Sequence, residues 1–467
     1  MIFSRELINK NIKYHDFCAI TKSNPLEFEY RSYDYSELSS LVDAYKNLFL
    51  SKGAKLGDSV VIGTESRIEQ TALVLACSEL GIAIAIVDVD IVEDPRGPLP
   101  IGIKQPQQVQ VKSTQELIKE PYRRMLPIEF FVVKNKECTA KFEVFKDTCN
   151  ITVVLDDEEL DYTPNDTIIA KGDTVFLRCT NKVKVIDHTH EFICSLVQRN
   201  SSMFYGKMCM LSNLNHGSSP AVYFLPGLVA ENVTDIYNFR KVLMLPSNLL
   251  IEYLKQKSMD HFLVPYTAWI DEFFKTNNAD IDNCILYTLG VIRQEWVNKF
   301  KNKVKDIVSI FGSRESSGPT MLNKASDINF AENRYTVYDN FYNLRLNDNS
   351  ELEITMPIYN TTIYTNDNFI VKDNTYTFQG SKNNLYRVND CIVDVKLYQD
   401  FIDKVMNGKI IVDNIKDSIY LVIYDNTINN DILNDLNNFM LKTSNGRHKI
   451  NKYVTEDEIK IYFRNKL

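Results

Sequence analysis

Two short stretches of this chain concentrate residue types that handle phosphate and charge. Residues 176–190 read FLRCTNKVKVIDHTH, with Thr180, Lys184 and a closing His188-Thr189-His190. Residues 310–319 read IFGSRESSGP, which sets Phe311, Gly312 and Glu315 at the end of an apolar run. A bound polyphosphate needs backbone N–H groups or cations aimed at it and no side chain in the way. Glycine meets both conditions, because it takes positive φ and has no Cβ. In residues 176–190 the length and the lysine of such a loop are present and the glycines are not. A carboxylate such as Glu315 is a hard oxygen ligand suited to Mg²⁺, and Phe311 offers a face for stacking. Asp367, in Tyr364-Thr365-Asn366-Asp367, is an acceptor-only group suited to hydroxyls, although an Asx-type turn in an Asn-rich loop accounts for it equally well.

The elements that must position these groups alternate between strands and helices. From Ser36 to Lys52 the apolar residues Leu38, Leu41, Val42, Tyr45, Leu48 and Phe49 fall on one helical face. Ser36 is the expected N-cap and Gly53 the expected stop. A strand over 59–63, a helix over about 67–80 closed by Gly81, and the apolar run 82–89 follow, as in an α/β fold with a partly parallel sheet. Further strands are expected at 130–133, 151–155, 173–178, 207–211, 284–288 and 307–311. Helices are expected at 189–198, around Trp269, Phe273 and Phe274, and at 293–303. After Gly380 the character changes, with two βα-like segments near 397–406 and 419–438. We expect a large N-terminal domain over 1–380, of mixed sheets with flanking helices, and a small α+β domain over 381–467.

The order and spacing of these motifs resemble the adenylate-forming superfamily, which includes acyl-CoA synthetases, amino-acid adenylation domains and luciferases. The resemblance covers roughly residues 33–398 at low identity. The opening Tyr35-Ser36-Glu37-Leu38, Gly57-Asp58-Ser59-Val60-Val61 and Ala76 to Gly81 match its first helix, strand and second helix. Laid without a gap on the pattern S-S-G-T-T-G-x-P-K-G-V-x-H-T-H, the three glycines fall on Arg178, Asn181 and Val185 and the proline on Val183. Thr180, Lys184 and His188-Thr189-His190 are retained. The family's aromatic-Gly-x-Thr-Glu corresponds to Phe311-Gly312-Ser313-Arg314-Glu315. The resemblance implies a ring at Phe311 on adenine and Mg²⁺ on Glu315. Gly290 stands where the family keeps glycines near the adenine, Asp367 where it binds the ribose hydroxyls, and His216 where it borders the acyl group. The hinge pattern G-R-x-D-D has become Gly380-Ser381-Lys382-Asn383-Asn384, so the glycine survives without the arginine and the acidic pair. Lys460, with Lys449 as a rival, corresponds to the lysine that stabilises charge at the α-phosphate. The resemblance also implies that the C-terminal domain is a mobile lid.

Bulk properties limit the alternatives. The chain has 467 residues, 44% hydrophobic and 24% charged, ordinary for a globular protein of two or three domains. Its net charge of -8 argues against a nucleic-acid partner. The 9 cysteines form no C-x-x-C pair, as expected of buried thiols in a reducing, cytoplasmic setting. No run approaches the ~18–20 apolar residues of a membrane span, and no signal peptide is seen. His188 and His190 lack a third metal ligand in the sequence. No Ser-His-Asp arrangement, Rossmann fingerprint or zinc spacing is legible.

Two functional readings remain open. In the first, the chain is a ligase that uses ATP and Mg²⁺ to activate a small carboxylate as an acyl-adenylate. It then passes the acyl group to a thiol or amine, with CoA or a phosphopantetheinyl carrier as acceptor. Lys184, Glu315 and Lys460 would carry the charge stabilisation, with Lys184 and Arg178 replacing the glycine nest. In the second, the fold is retained without ATP chemistry, and the chain binds a ligand or an assembly partner.

Overall fold

The computed structural model describes residues 1–21, 27–64, 67–86, 131–134, 151–180, 185–210, 220–238, 247–263, 281–289, 292–300, 303–313, 315–328, 330–331, 333–356, 361–381, 385–388, 391–395, 398–399, 402, 408–413, 418–423, 430–443, 450 and 452–455. The chain forms two compact units, Met1–Leu263 with Gly312–Gly318, and Val264–Phe311 with Pro319–Leu467. The boundary expected at 380/381 lies inside the second unit.

The strands of the first unit are β1 (Lys13–Thr21), β2 (Glu27–Tyr33), β3 (Ser59–Gly63), β4 (Ala83–Ile86), β5 (Phe131–Lys134) and β6 (Ile151–Val154). They continue with β7 (Val175–Thr180), β8 (Val185–Thr189), β9 (Gly206–Met210), β10 (Val233–Asn238) and β11 (His261–Leu263). One sheet is six-stranded, in the order β6-β5-β3-β4-β7-β8. It is parallel from β6 through β7, and β8 runs antiparallel to β7. The continuous apolar strands β3 and β4 suit such a sheet, because helices cover parallel strands on both faces. In the second sheet the order is β11-β9-β10-β1-β2. There β11, β9, β10 and β1 pair in parallel, and β2 returns antiparallel to β1.

Helix α1 (Tyr35–Ser51) begins one residue earlier than expected and is capped by Asp34, not Ser36. Asp34 accepts from the Glu37 N–H, and the Glu37 side chain accepts from the Asp34 N–H. This reciprocal box satisfies two orphan donors of the first turn. The stripe Leu38, Val42, Tyr45, Leu48 and Phe49 is buried, each residue contributing about 1.5–3 kcal/mol of transfer free energy. Gly53, at φ +83, then allows the left-handed exit. Helix α2 (Arg67–Leu80) packs against α1 around a fully buried ion pair. Lys46 Nζ lies 2.7 Å from Glu79 Oε2, and Arg5 Nε lies 3.3 Å from the other Glu79 oxygen. Helices α3 (His190–Ser201), α4 (Leu225–Val229) and α5 (Ser247–Lys257) complete the unit. No helix among the described residues is long and apolar enough to cross a membrane.

In the second unit the strands are β12 (Ile281–Thr288), β13 (Val304–Phe311), β14 (Met321–Lys324), β15 (Arg334–Val337), β16 (Asn343–Leu346), β17 (Glu351–Met356), β18 (Thr361–Lys372) and β19 (Thr375–Ser381). Their order is β16-β17-β18-β19-β15-β14-β13-β12, with β12 and β13 parallel and the other pairs antiparallel. The helix expected at 293–303 appears as α6 (Gln294–Phe300). The helix expected around Trp269, Phe273 and Phe274 lies outside the described residues. A hairpin of β20 (Leu385–Val388) and β21 (Cys391–Asp394) follows. Then β22 (Gly408–Asp413), β23 (Ser418–Ile423) and β24 (Lys452–Thr455) form a three-stranded sheet with helix α7 (Asn430–Thr443). These last elements share their own apolar core, including Ile402, Ile410, Leu421, Leu436 and Met440.

Candidate functional site

In the first unit, the stretch expected to form a phosphate loop is mostly a β-hairpin. Arg178 pairs with Asp187, Cys179 with Ile186 and Thr180 with Val185 across the β7–β8 ladder. Two of the three positions where the resemblance expects glycine, Arg178 and Val185, are therefore strand residues. Strand backbone favours β-branched side chains and has no need of positive φ, which explains the loss of glycine at both. Strand geometry also turns successive N–H groups to opposite sides, whereas a phosphate nest needs them to converge. Asn181 and Lys184 fall in the connection at 181–184, outside the described residues.

Arg178 is committed within the same hairpin. Its Nε lies 2.7 Å from Asp187 Oδ1 and its Nη2 2.9 Å from Asp187 Oδ2, and Nη1 donates to Ser59 Oγ at 3.0 Å. This two-pronged fit is the strong form of the Arg–carboxylate pair. Three of the five guanidinium N–H groups are thereby engaged, two of them by Asp187.

The two histidines that close the motif serve packing. His188 is buried, stacks on Phe192 at 5.2 Å, and shares a 2.6 Å hydrogen bond with Ser317 Oγ. His190 Nδ1 accepts from the Phe3 N–H at 3.1 Å, which places the ring proton on Nε2. Burial and, secondarily, the N-terminal ammonium push its pKa down to about 4, so it is neutral at pH 7. Its Nε2 has no hydrogen-bond partner among the described residues. No group of three metal-binding side chains occurs among them either.

Gly312–Gly318 belongs to the first unit and carries Glu315. Ser313 N–H donates to Ser316 Oγ at 3.0 Å, and Ser316 N–H donates to Ser313 Oγ at 3.1 Å. The Ser317 N–H reaches the Ser313 carbonyl at 3.0 Å, and Ser317 takes φ 47. A Cβ on Gly312 would collide with the Gly318 carbonyl oxygen, so this glycine is required by close approach of the backbone. Glu315 sits half-buried on this tight loop. Ser317 is the partner that sequence reasoning missed, because nothing in S-S-G-P marks which serine faces a histidine 129 positions away.

Phe311 and Asp367 lie in the second unit. The half-buried Phe311 ring packs on Tyr335 at 5.6 Å and meets Phe369 edge-on at 5.2 Å. Asp367 lies within strand β18, not in the Asx-type turn weighed for it, directly opposite Ser381 on β19. The T-N-D and G-S positions thus meet across one ladder, next to a register shift at Asn368/Phe369. Such bulges re-aim side chains at the rim of a sheet. Gly290, His216, Lys449 and Lys460 lie outside the described residues, as do Lys382, Asn383 and Asn384. Of Thr180 only the backbone is described.

The hairpin offers no convergent N–H groups among the described residues, and Arg178 is paired.

No family model matches the sequence, and no curated protein matches it. Solved structures do match the fold. The adenylation domain of a keto acid-selecting NRPS module, bound to a keto acyl adenylate, has a TM-score of 0.64 at 10% identity, over 99% of this chain and 95% of that one. An o-succinylbenzoate CoA synthetase from Bacillus subtilis has a TM-score of 0.68 at 10% identity, over 97% and 93%. The fatty acyl-adenylate ligases from E. coli and L. pneumophila give 0.63 at 10% identity, over 97% and 94%. Agreement over nearly the whole of both chains leads to one conclusion: this chain has the fold of the adenylate-forming superfamily.

Proposed function

We propose that this chain binds an adenylate, either AMP or an acyl-adenylate, and does not carry out carboxylate activation by ATP. The observation that supports this reading is the β7–β8 ladder, which takes two of the expected glycine positions into a strand and locks Arg178 on Asp187. Phe311 would stack on the base and Asp367 would accept from the ribose hydroxyls. A ligand of this kind carries one phosphate, so it does not call on the groups a triphosphate requires. Residues 381–467, with their own apolar core, would act as the lid, and an acyl carrier or assembly partner would deliver or receive the acyl group. The buried thiols Cys77, Cys194, Cys209 and Cys284 suit a reducing cytoplasm.

Glu315 favours the second reading, a ligase in which Mg²⁺ bridges this carboxylate and the phosphates while Lys184 and Lys460 supply cationic charge. Isothermal titration of the full chain with AMP and with ATP, each with Mg²⁺, separates the two. Binding of AMP with ATP at least about 10²-fold weaker, a difference of about 2.7 kcal/mol, is expected. Magnesium-dependent micromolar ATP binding that Glu315→Ala abolishes would overturn the proposal in favour of the ligase.

A further inference from the structure

We propose that Ser32, His15 and Asp235 form a serine-nucleophile site that hydrolyses activated esters through an acyl-Ser32 intermediate. The inference is independent of the nucleotide reading, since none of these residues belongs to it. Three adjacent strands of the first unit, β2, β1 and β10, each contribute one member. The register sets His15 opposite Ser32 and beside Tyr237. His15 Nδ1 lies 2.7 Å from Ser32 Oγ, and His15 Nε2 lies 2.7 Å from Asp235 Oδ1.

The chemistry of the row assigns the protons. A carboxylate only accepts, so Asp235 holds the ring proton on Nε2 and leaves Nδ1 as the acceptor of the Ser32 hydroxyl. That is the order nucleophile, base, orienting carboxylate, which is recognised by geometry and not by sequence position. Tyr237 stacks on the His15 ring at 4.4 Å and Tyr30 meets it edge-on at 6.5 Å, so the imidazole is held in plane. His15 is buried while Ser32 is exposed, as a base shielded behind a reachable nucleophile requires. Among the described residues strand β2 is terminal in the sheet order, so alternate N–H groups along it point away from β1 and would be available to a developing oxyanion. Lys257 Nζ lies 5.1 Å from the Tyr30 ring centre and 5.9 Å from that of Tyr237. This cation beside the row favours an ester or thioester whose acyl part carries an anionic group.

In the first step Ser32 Oγ bonds to the acyl carbon as its proton passes to His15 Nδ1. The bond to the leaving oxygen or sulfur then breaks, and His15 returns that proton to the departing group. Water next adds to the acyl carbon and gives a proton to His15. The bond to Ser32 Oγ breaks, and Ser32 recovers its hydrogen. The net reaction consumes one ester and one water and releases an acid and an alcohol or thiol.

The test uses the full chain, p-nitrophenyl acetate and a fluorophosphonate probe whose attachment point is mapped by mass spectrometry. The expected result is hydrolysis above the buffer rate with the label on Ser32, both lost in Ser32→Ala with an unchanged melting curve. Asp235→Asn should lower kcat by about 10²-fold to 10⁴-fold with KM held, the loss expected when a base is no longer oriented. Lys257→Met should raise KM for p-nitrophenyl hemisuccinate and leave that for the acetate unchanged. A folded wild-type protein without label on Ser32, or equal hydrolysis by Ser32→Ala, would overturn the site. Equal KM shifts for both esters would overturn the anionic substrate class.

Discussion

Two serine–histidine pairs in the first unit share nearly the same geometry and differ in their surroundings. Ser317 and His188 meet at 2.6 Å with both side chains buried. Ser32 and His15 meet at 2.7 Å with the serine exposed and a carboxylate on the far ring nitrogen. The first pair ties Gly312–Gly318 to strand β8, where no substrate can reach the serine. The second has a reachable nucleophile, an oriented base and a nearby cation. A hydrogen bond of a given length is therefore a fastening in one place and a reactive arrangement in the other. What separates them is access for a substrate.

The largest stability effect that sharpens this contrast comes from pH. His190, beside the buried pair, has a folded pKa of about 4 against an ordinary value of 6.5. The unfolded chain therefore takes up a proton that the folded chain refuses in that window. The stability this residue supports is complete above pH 6.5 and is lost as pH falls towards about 4, at about 1.4 kcal/mol per pH unit. Urea denaturation across pH 4–7 should show this slope, and His190→Gln should flatten it.

A smaller effect distinguishes the two serines directly. Ser317→Ala leaves a buried histidine nitrogen without its partner and should lower stability by about 1–3 kcal/mol. Ser32→Ala, where solvent can take the place of the exposed hydroxyl at His15 Nδ1, should change it by no more than about 0.5 kcal/mol. Denaturation midpoints at equal m-values decide this, and similar losses for both would dissolve the distinction.

The smallest expected change concerns the hairpin. Arg178 and Asp187 are partly exposed, so solvent screens their pair, and Arg178→Ala should cost no more than about 1 kcal/mol. Its ATP affinity should match that of the unaltered chain, because the guanidinium is already held by Asp187. A tenfold loss of ATP affinity in this variant would return Arg178 to the role of phosphate ligand.

Much of the α/β order was legible because the patterns of α1, β3, α2 and β4 are local and strongly apolar. Boundaries shifted where short-range hydrogen bonding decided them, as when Asp34 with Glu37 displaced Ser36 as the cap. The candidate site was legible only in part. Residues 176–190 show that glycines are missing but not that strand pairing takes up two of their three positions. The sequence around Asp367 suits a ribose acceptor and an Asx-type turn equally, and the neighbouring strand β19 draws it into a ladder. The Ser32–His15–Asp235 row went unseen because its members lie 17 and 220 positions from His15, and no local spacing encodes a register across three strands.

The sequence by itself determined the alternation of helices and strands, the apolar faces that must be buried, and the order of motifs shared with the adenylate-forming fold. These follow from periodicity and side-chain chemistry, which act over a few residues. Only the tertiary structure decided that Arg178 is held by Asp187, that Ser317 closes on His188, and that an exposed serine meets a histidine and an aspartate. The first and third depend on strand pairing, which brings distant residues within 3 Å through backbone hydrogen bonds that every residue type can make, and the second on the packing of the Gly312–Gly318 loop against strand β8.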